Sequence, residues 1–119
     1  MAMTTKQVAD KLQDYCAKGK WQQAWNELYA ADAWSEEPYT VTPRTARGLK
    51  EMAKKSEAWT SQAKVFGRKV SKPLIAGDWI TMKMELDMQW PGGPRTKASE
   101  LCVYKVNNGK IVSEQFFYG

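Results

Sequence analysis

Residues 79–90, WITMKMELDMQW, alternate without interruption. Ile80, Met82, Met84, Leu86, Met88 and Trp90 point one way, and Thr81, Lys83, Glu85, Asp87 and Gln89 point the other. A sustained period of two fits a β-strand with one face buried and one face wet. A strand this long needs partners along both edges and a cover for its apolar face, so the rest of the chain has to supply both.

The flanking sequence supplies the partners. Pro91-Gly92-Gly93-Pro94 turns the chain back into a strand over Thr96–Val106. Asn107-Asn108-Gly109 is a tight-turn signal, and Ile111–Tyr118 follows as the last strand. Upstream, Lys64–Ser71 reads as a strand and Ile75-Ala76-Gly77-Asp78 as the turn after it. The cover comes from the first half of the chain. Thr4 and Gln7 form a capping-box pattern that opens a helix carrying Val8, Leu12 and Tyr15 on one stripe, and Gly19 closes it. Trp21, Trp25, Leu28 and Tyr29 recur at helical spacing in a second helix. Ala33 to Glu37 is a short strand, residues 38–47 an irregular loop, and residues 48–61 a third helix with Leu49, Met52, Ser56 and Trp59 along one side. The order is α-α-β-α-β-β-β-β. That predicts an α+β fold in which three N-terminal helices pack in the concave face of a strongly curved, mainly antiparallel sheet. Such a cone has a mouth, and its hollow is a pocket by geometry.

A length of 119 residues fits one domain, 1–119. The chain contains no histidine, which excludes Ser-His-Asp and Cys-His nucleophile chemistry and histidine-based zinc sites. Two cysteines, Cys16 and Cys102, cannot build a four-cysteine zinc site or a disulfide framework, so no metal is expected. The start MAMTTKQVADKLQ lacks an apolar signal core and no stretch is apolar enough to span a membrane, so the expected setting is cytoplasmic with no membrane partner. The net charge of +5 is local: residues 44–72 carry nine basic and two acidic groups. A basic stretch is either a nucleic-acid footprint or the solvated face of a helix and strand. No groove-reading or RNP motif accompanies it, so nucleic acid is not the expected partner.

Glu27-Leu28-Tyr29-Ala30-Ala31-Asp32-Ala33, Glu36-Glu37-Pro38 and Val103-Tyr104-Lys105-Val106-Asn107-Asn108-Gly109-Lys110-Ile111 follow one another along the chain. Together these three stretches resemble the SnoaL-like polyketide-cyclase group of the nuclear-transport-factor-2-like superfamily. The resemblance implies a small apolar molecule bound inside the cone and a homodimer formed through the outer sheet face. It says little about activity, because the fold hosts isomerases, cyclases, dehydratases and binding proteins. The ketosteroid-isomerase branch carries a catalytic aspartate before a proline at the first strand's end, and Glu37 before Pro38 keeps a carboxylate there. That branch's oxyanion-hole tyrosine and aspartate correspond here to Leu12 and Cys102, neither a strong donor. The isomerase mechanism is therefore not expected intact, although a general base is retained.

The resemblance also places Glu100, Cys102, Tyr104 and Val106, and Val112, Glu114, Phe116 and Tyr118, toward the interior with Met82, Met84 and Met88. Trp25, Tyr15 and Trp59 are expected to line the pocket with them. Glu37, Glu100 and Glu114 then become candidate catalytic carboxylates in an apolar chamber. Desolvation and like charge raise carboxylate pKa values toward neutrality, which suits general acid/base chemistry without a cofactor. The competing reading is that these glutamates only hydrogen-bond their neighbours and fix the fold. The expected function is a small-molecule-binding protein, either a cyclase or isomerase acting on an apolar carbonyl compound or a non-catalytic ligand-binding or dimeric interaction module.

Overall fold

The computed structural model describes residues 2–38 and 44–118. The capping box at Thr4 is formed in both directions. The Thr4 hydroxyl accepts from the Gln7 amide at 3.1 Å, and the Gln7 side chain accepts from the Thr4 amide at 2.9 Å. This starts α1 (Thr5–Ala17), which buries Val8, Ala9, Leu12 and Cys16. Helix α2 (Trp21–Leu28) follows, and Tyr29 leaves it directly for an extended conformation. Tyr29 therefore begins β1 (Tyr29–Glu36) rather than ending the helix.

Two short strands occupy segments expected to be irregular. Strand β2 (Thr45–Arg47) pairs with β1, so the end of the segment 38–47 is a strand; residues 39–43 of that segment lie outside the described set. After α3 (Gly48–Thr60) and β3 (Lys64–Val70), β4 (Leu74–Ala76) pairs with the start of the long strand β5 (Trp79–Gln89). Strands β6 (Arg95–Asn107) and β7 (Lys110–Phe117) complete the sheet. Its order is β2-β1-β7-β6-β5-β3, antiparallel except for the parallel β1–β7 pair, with β4 added to β5. The β6–β7 turn holds Asn108 and Gly109 at φ 51° and 75°, the left-handed pair of a two-residue hairpin.

The helices cover one sheet face, and the core lies between: Val8, Leu12, Leu28 and Met52 against Ile80, Met82, Cys102 and Ile111. The alternation over β5 survives intact, with Ile80, Met82, Met84 and Met88 buried. Bulges interrupt the ladder in three places: between Tyr29 and Trp34, Val65 and Gly67, and Lys105 and Val106. Each inserts unpaired backbone and bends the sheet. They also reassign faces. On β7, Ile111 pairs with Val106 while Ser113 pairs with Lys105, so Ile111 enters the core and Val112, expected inside, is displaced from that face.

Among the described residues, no helix is long and apolar enough to cross a membrane.

Candidate active site

The sheet curves away from α2 and α3 and leaves a cavity of about 970 Å³. Its helical wall is aromatic: Trp21 and Trp25 from α2, and Trp59 from α3. Its sheet wall is Met84, Leu86 and Met88 from β5. At the rim the rings of Trp59 and Trp90 meet edge to face, 5.9 Å between centroids.

All three candidate carboxylates, Glu37, Glu100 and Glu114, line this cavity, but they are held differently. Glu114 sits at its base. It accepts hydrogen bonds from the Tyr29 hydroxyl at 2.5 Å and the Ser35 hydroxyl at 3.0 Å. Burial pushes its pKa upward, against the pull of those two donors and of Lys55. The Lys55 ammonium donates to Ser35 Oγ at 2.6 Å and to Glu37 Oε1 at 3.1 Å, and it rests over the Phe116 ring. The other Glu37 oxygen accepts from the Tyr118 hydroxyl at 2.9 Å. One continuous polar chain thus runs Tyr29, Glu114, Ser35, Lys55, Glu37, Tyr118. Tyr118 is pushed upward, first by desolvation and then by the Glu37 charge beside it.

Glu100 stands outside this chain. Its hydrogen-bond partner among the described residues is the Cys102 thiol at 3.7 Å, a weak donor. No basic group comes within salt-bridge distance of it among those residues. Desolvation, reinforced by the charges of Glu37 and Glu114, raises Glu100 to about 7. Cys102 is itself pushed up, first by burial and then by Glu100, so its thiol stays protonated.

The structure therefore brings Trp25, Trp59, Met84, Tyr104, Phe116 and Tyr118 to the cavity with the three glutamates. Tyr15, Met82 and Cys102 do not line it. Tyr15 turns away to donate to Glu27, which also pairs with Lys11. Met82 and Cys102 are cross-strand partners packed solidly beneath the cavity in the core.

The lining residues not expected from the sequence include Ser35, Lys55 and Arg68. The first two are ordinary polar positions with no pattern to mark them. Arg68 had a signal. Alternation from Val65, which pairs with Met88, would turn Gly67 inward and Arg68 outward. The bulge at Phe66 shifts the ladder so that Gly67 pairs with Asp87 and Arg68 with Leu86 on the cavity face. A glycine inside a strand is the mark of such a bulge.

Among the described residues no three or more Cys, Asp or Glu side chains gather as metal ligands.

Residues 3–118 match the family model of the SnoaL-like domain. No curated protein matches the chain. A crystal structure from Mesorhizobium loti, provisionally assigned as a SnoaL-like polyketide cyclase, is 27% identical and superposes with a TM-score of 0.92, covering 98% of this chain and 100% of that one. A protein of unknown function with a cystatin-like fold from Xanthomonas campestris is 19% identical, with a TM-score of 0.76 over 98% and 92% of the two chains. An NTF2-like protein of unknown function from Burkholderia pseudomallei is 14% identical, with a TM-score of 0.78 over 98% and 92%.

Proposed function

The chain belongs to the SnoaL-like domain family, and on that premise we propose that its cavity takes up a small, largely apolar carbonyl compound and moves a proton on it through Glu100. The observation that carries this reading is the setting of Glu100: a carboxyl group facing an apolar, aromatic cavity, with no cation in salt-bridge contact among the described residues and a pKa of about 7. At neutral pH such a group exists in both forms and can take a proton from an α-carbon and return it elsewhere. Lys55 acts on Glu100 from a distance: its positive charge favours the ionised carboxylate, the form that accepts a proton, and partly offsets the desolvation. Neither redox cofactor nor metal enters this step.

The relative from Mesorhizobium loti favours cyclase-type chemistry as the class, since ring closure of this kind begins with proton removal next to a carbonyl. A second reading, ligand binding without chemistry, draws on Glu37 and Glu114. Both carboxylates are already occupied by Lys55, Tyr118, Tyr29 and Ser35, as structural groups would be.

Deuterium uptake at the methyl group of 2-acetonaphthone in D2O, followed by NMR, separates the two. The expected result is exchange above the buffer rate, reduced roughly 100-fold or more in Glu100→Gln. Quenching of the cavity tryptophans without any catalysed exchange would favour pure binding.

We infer as well that two copies pair through the outer sheet face, and that the protein works in the cytoplasm with Cys16 and Cys102 as buried thiols.

A further inference from the structure

Among the described residues three cations line the cavity, and their circumstances differ. Lys55 is neutralised by Glu37. Arg68 has no carboxylate within salt-bridge distance and makes no hydrogen bond among the described residues, and its Nε is buried without an acceptor. Lys97 also borders the cavity, but its charge acts on Glu85 and Asp87, the acidic residues of β5 that alternate away from Met84, Leu86 and Met88.

The Arg68 guanidinium is nonetheless firmly placed. It sets its central carbon over the Trp21 ring, 5.5 Å from the centroid, within cation–π reach. It also lies against the α-carbon of Gly19, where a β-carbon would come within 1.8 Å of Nη1. Nε is out of reach, but the two terminal nitrogens are not buried with it and have no hydrogen-bond partner among the described residues. Their N–H groups form a fork that matches a carboxylate in two-point contact.

We propose that Arg68 anchors a carboxylate on the ligand, so that the cavity selects flat, ring-bearing ketones that carry an acidic group at the end remote from the reacting carbon. This rests on the reading of Glu100 as the proton carrier and specifies its substrate class. The spacing follows from the sheet. Arg68 on β3 pairs with Leu86, Leu86 pairs with Ala98, and Glu100 lies two residues beyond Ala98 on β6. Two strand spacings across and two residues along separate the two backbones by about 12 Å on the sheet surface. A two-ring compound bridges side chains projecting from those positions. The tryptophans of α2 and α3 offer its faces stacking partners, and the positive charge at one end and proton carrier at the other fix its direction.

The test uses a matched pair, 6-acetyl-2-naphthoate and 2-acetonaphthone, which differ by the carboxylate. Dissociation constants are read from quenching of tryptophan fluorescence at pH 7.5. The wild-type protein is expected to bind the carboxylate at least roughly tenfold more tightly than the neutral ketone. In Arg68→Gln the ratio of the two constants is expected to fall to within about twofold of one, and Arg68→Lys to recover part of it. Circular dichroism and a cooperative melt establish that both variants fold. A wild-type protein that binds the neutral ketone but shows no preference for the carboxylate overturns the assignment of Arg68 while leaving the cavity reading intact. So does a preference that survives in Arg68→Gln. Failure of the wild-type protein to bind either compound overturns the cavity reading, and this inference with it.

Discussion

Glu114 is buried and Glu100 half-buried, both with raised pKa values, yet they present opposite chemistry because of their neighbours. Two hydroxyl donors tie Glu114 into the fold, whereas Glu100 meets a thiol and open cavity. The difference has a thermodynamic signature. A carboxyl whose folded pKa lies above its ordinary value holds its proton more tightly when folded. Its contribution is therefore fully present below the ordinary value of 4.5 and is lost as pH climbs to about 7, beyond which stability is flat on this account. The span is at most about 3 kcal/mol. Glu100→Gln removes this loss, so urea unfolding at pH 8 is expected to show the variant more stable than wild type, with the gap closing by pH 4. An equal gap at both pH values would contradict the assignment. For Glu114 the expectation is reversed in sign. Glu114→Ala leaves the Tyr29 and Ser35 hydroxyls without their buried acceptor and is expected to lose about 2–4 kcal/mol at pH 7, measured by the same unfolding curves.

The elements show which parts of the structure sequence can and cannot specify. The strand at 79–89 is legible because a period of two has one structural meaning, and α1 is legible because Thr4 and Gln7 cap it locally. The faces of Arg68 and Ile111 are not, because each depends on a bulge whose position follows from how far the sheet must bend around the helices. The basic stretch 44–72 shows the same limit: most of it is solvated, but Lys55 and Arg68 turn into the cavity, where their role depends on partners far away in sequence. The candidate carboxylates were legible as a group because alternation shows which positions share a face and the family resemblance turns those faces, and Glu37, inward; which of them lacks a partner is a tertiary fact. Turns behave likewise. Gly77 and Gly109 are both left-handed, at φ 58° and 75°. A β-carbon at Gly77 meets nothing within 4 Å, whereas at Gly109 it would lie 2.8 Å from the Met3 backbone. Gly77→Ala should thus cost about 1 kcal/mol, the strain of the conformation alone. Gly109→Ala should cost at least about 2 kcal/mol, since the chain before α1 must also move. Equal losses in the two variants would show that the contact with Met3 carries no weight.

At the scale of the whole molecule, the outer sheet face divides into a charged half and an apolar half. Toward one end Lys83 pairs with Glu85 and Arg95 with Asp87, which satisfies the charges within one sheet. Toward the other, Leu74, Trp79, Leu101 and Phe117 stand exposed, with Leu101 and Phe117 directly opposed across β6 and β7. Residues opposed across a ladder share a face, so Leu74 lies beside Thr81 and Val103, and Leu101 meets Lys83 where the two halves join. Exposed apolar side chains grouped in this way on a sheet face suit a two-fold, self-complementary contact, in which the same surface serves both copies. Light scattering coupled to size exclusion is expected to give twice the 13.6 kDa chain mass. The double variant Leu101→Glu, Phe117→Glu places like charges on both sides of the two-fold and should return the 13.6 kDa species with its helical signal retained. Because the cavity opens on the opposite face of the sheet, the same variant should still quench its tryptophans with 2-acetonaphthone. A wild-type protein that elutes as a monomer across micromolar concentrations refutes the pairing and assigns the exposed apolar half no partner of its own kind.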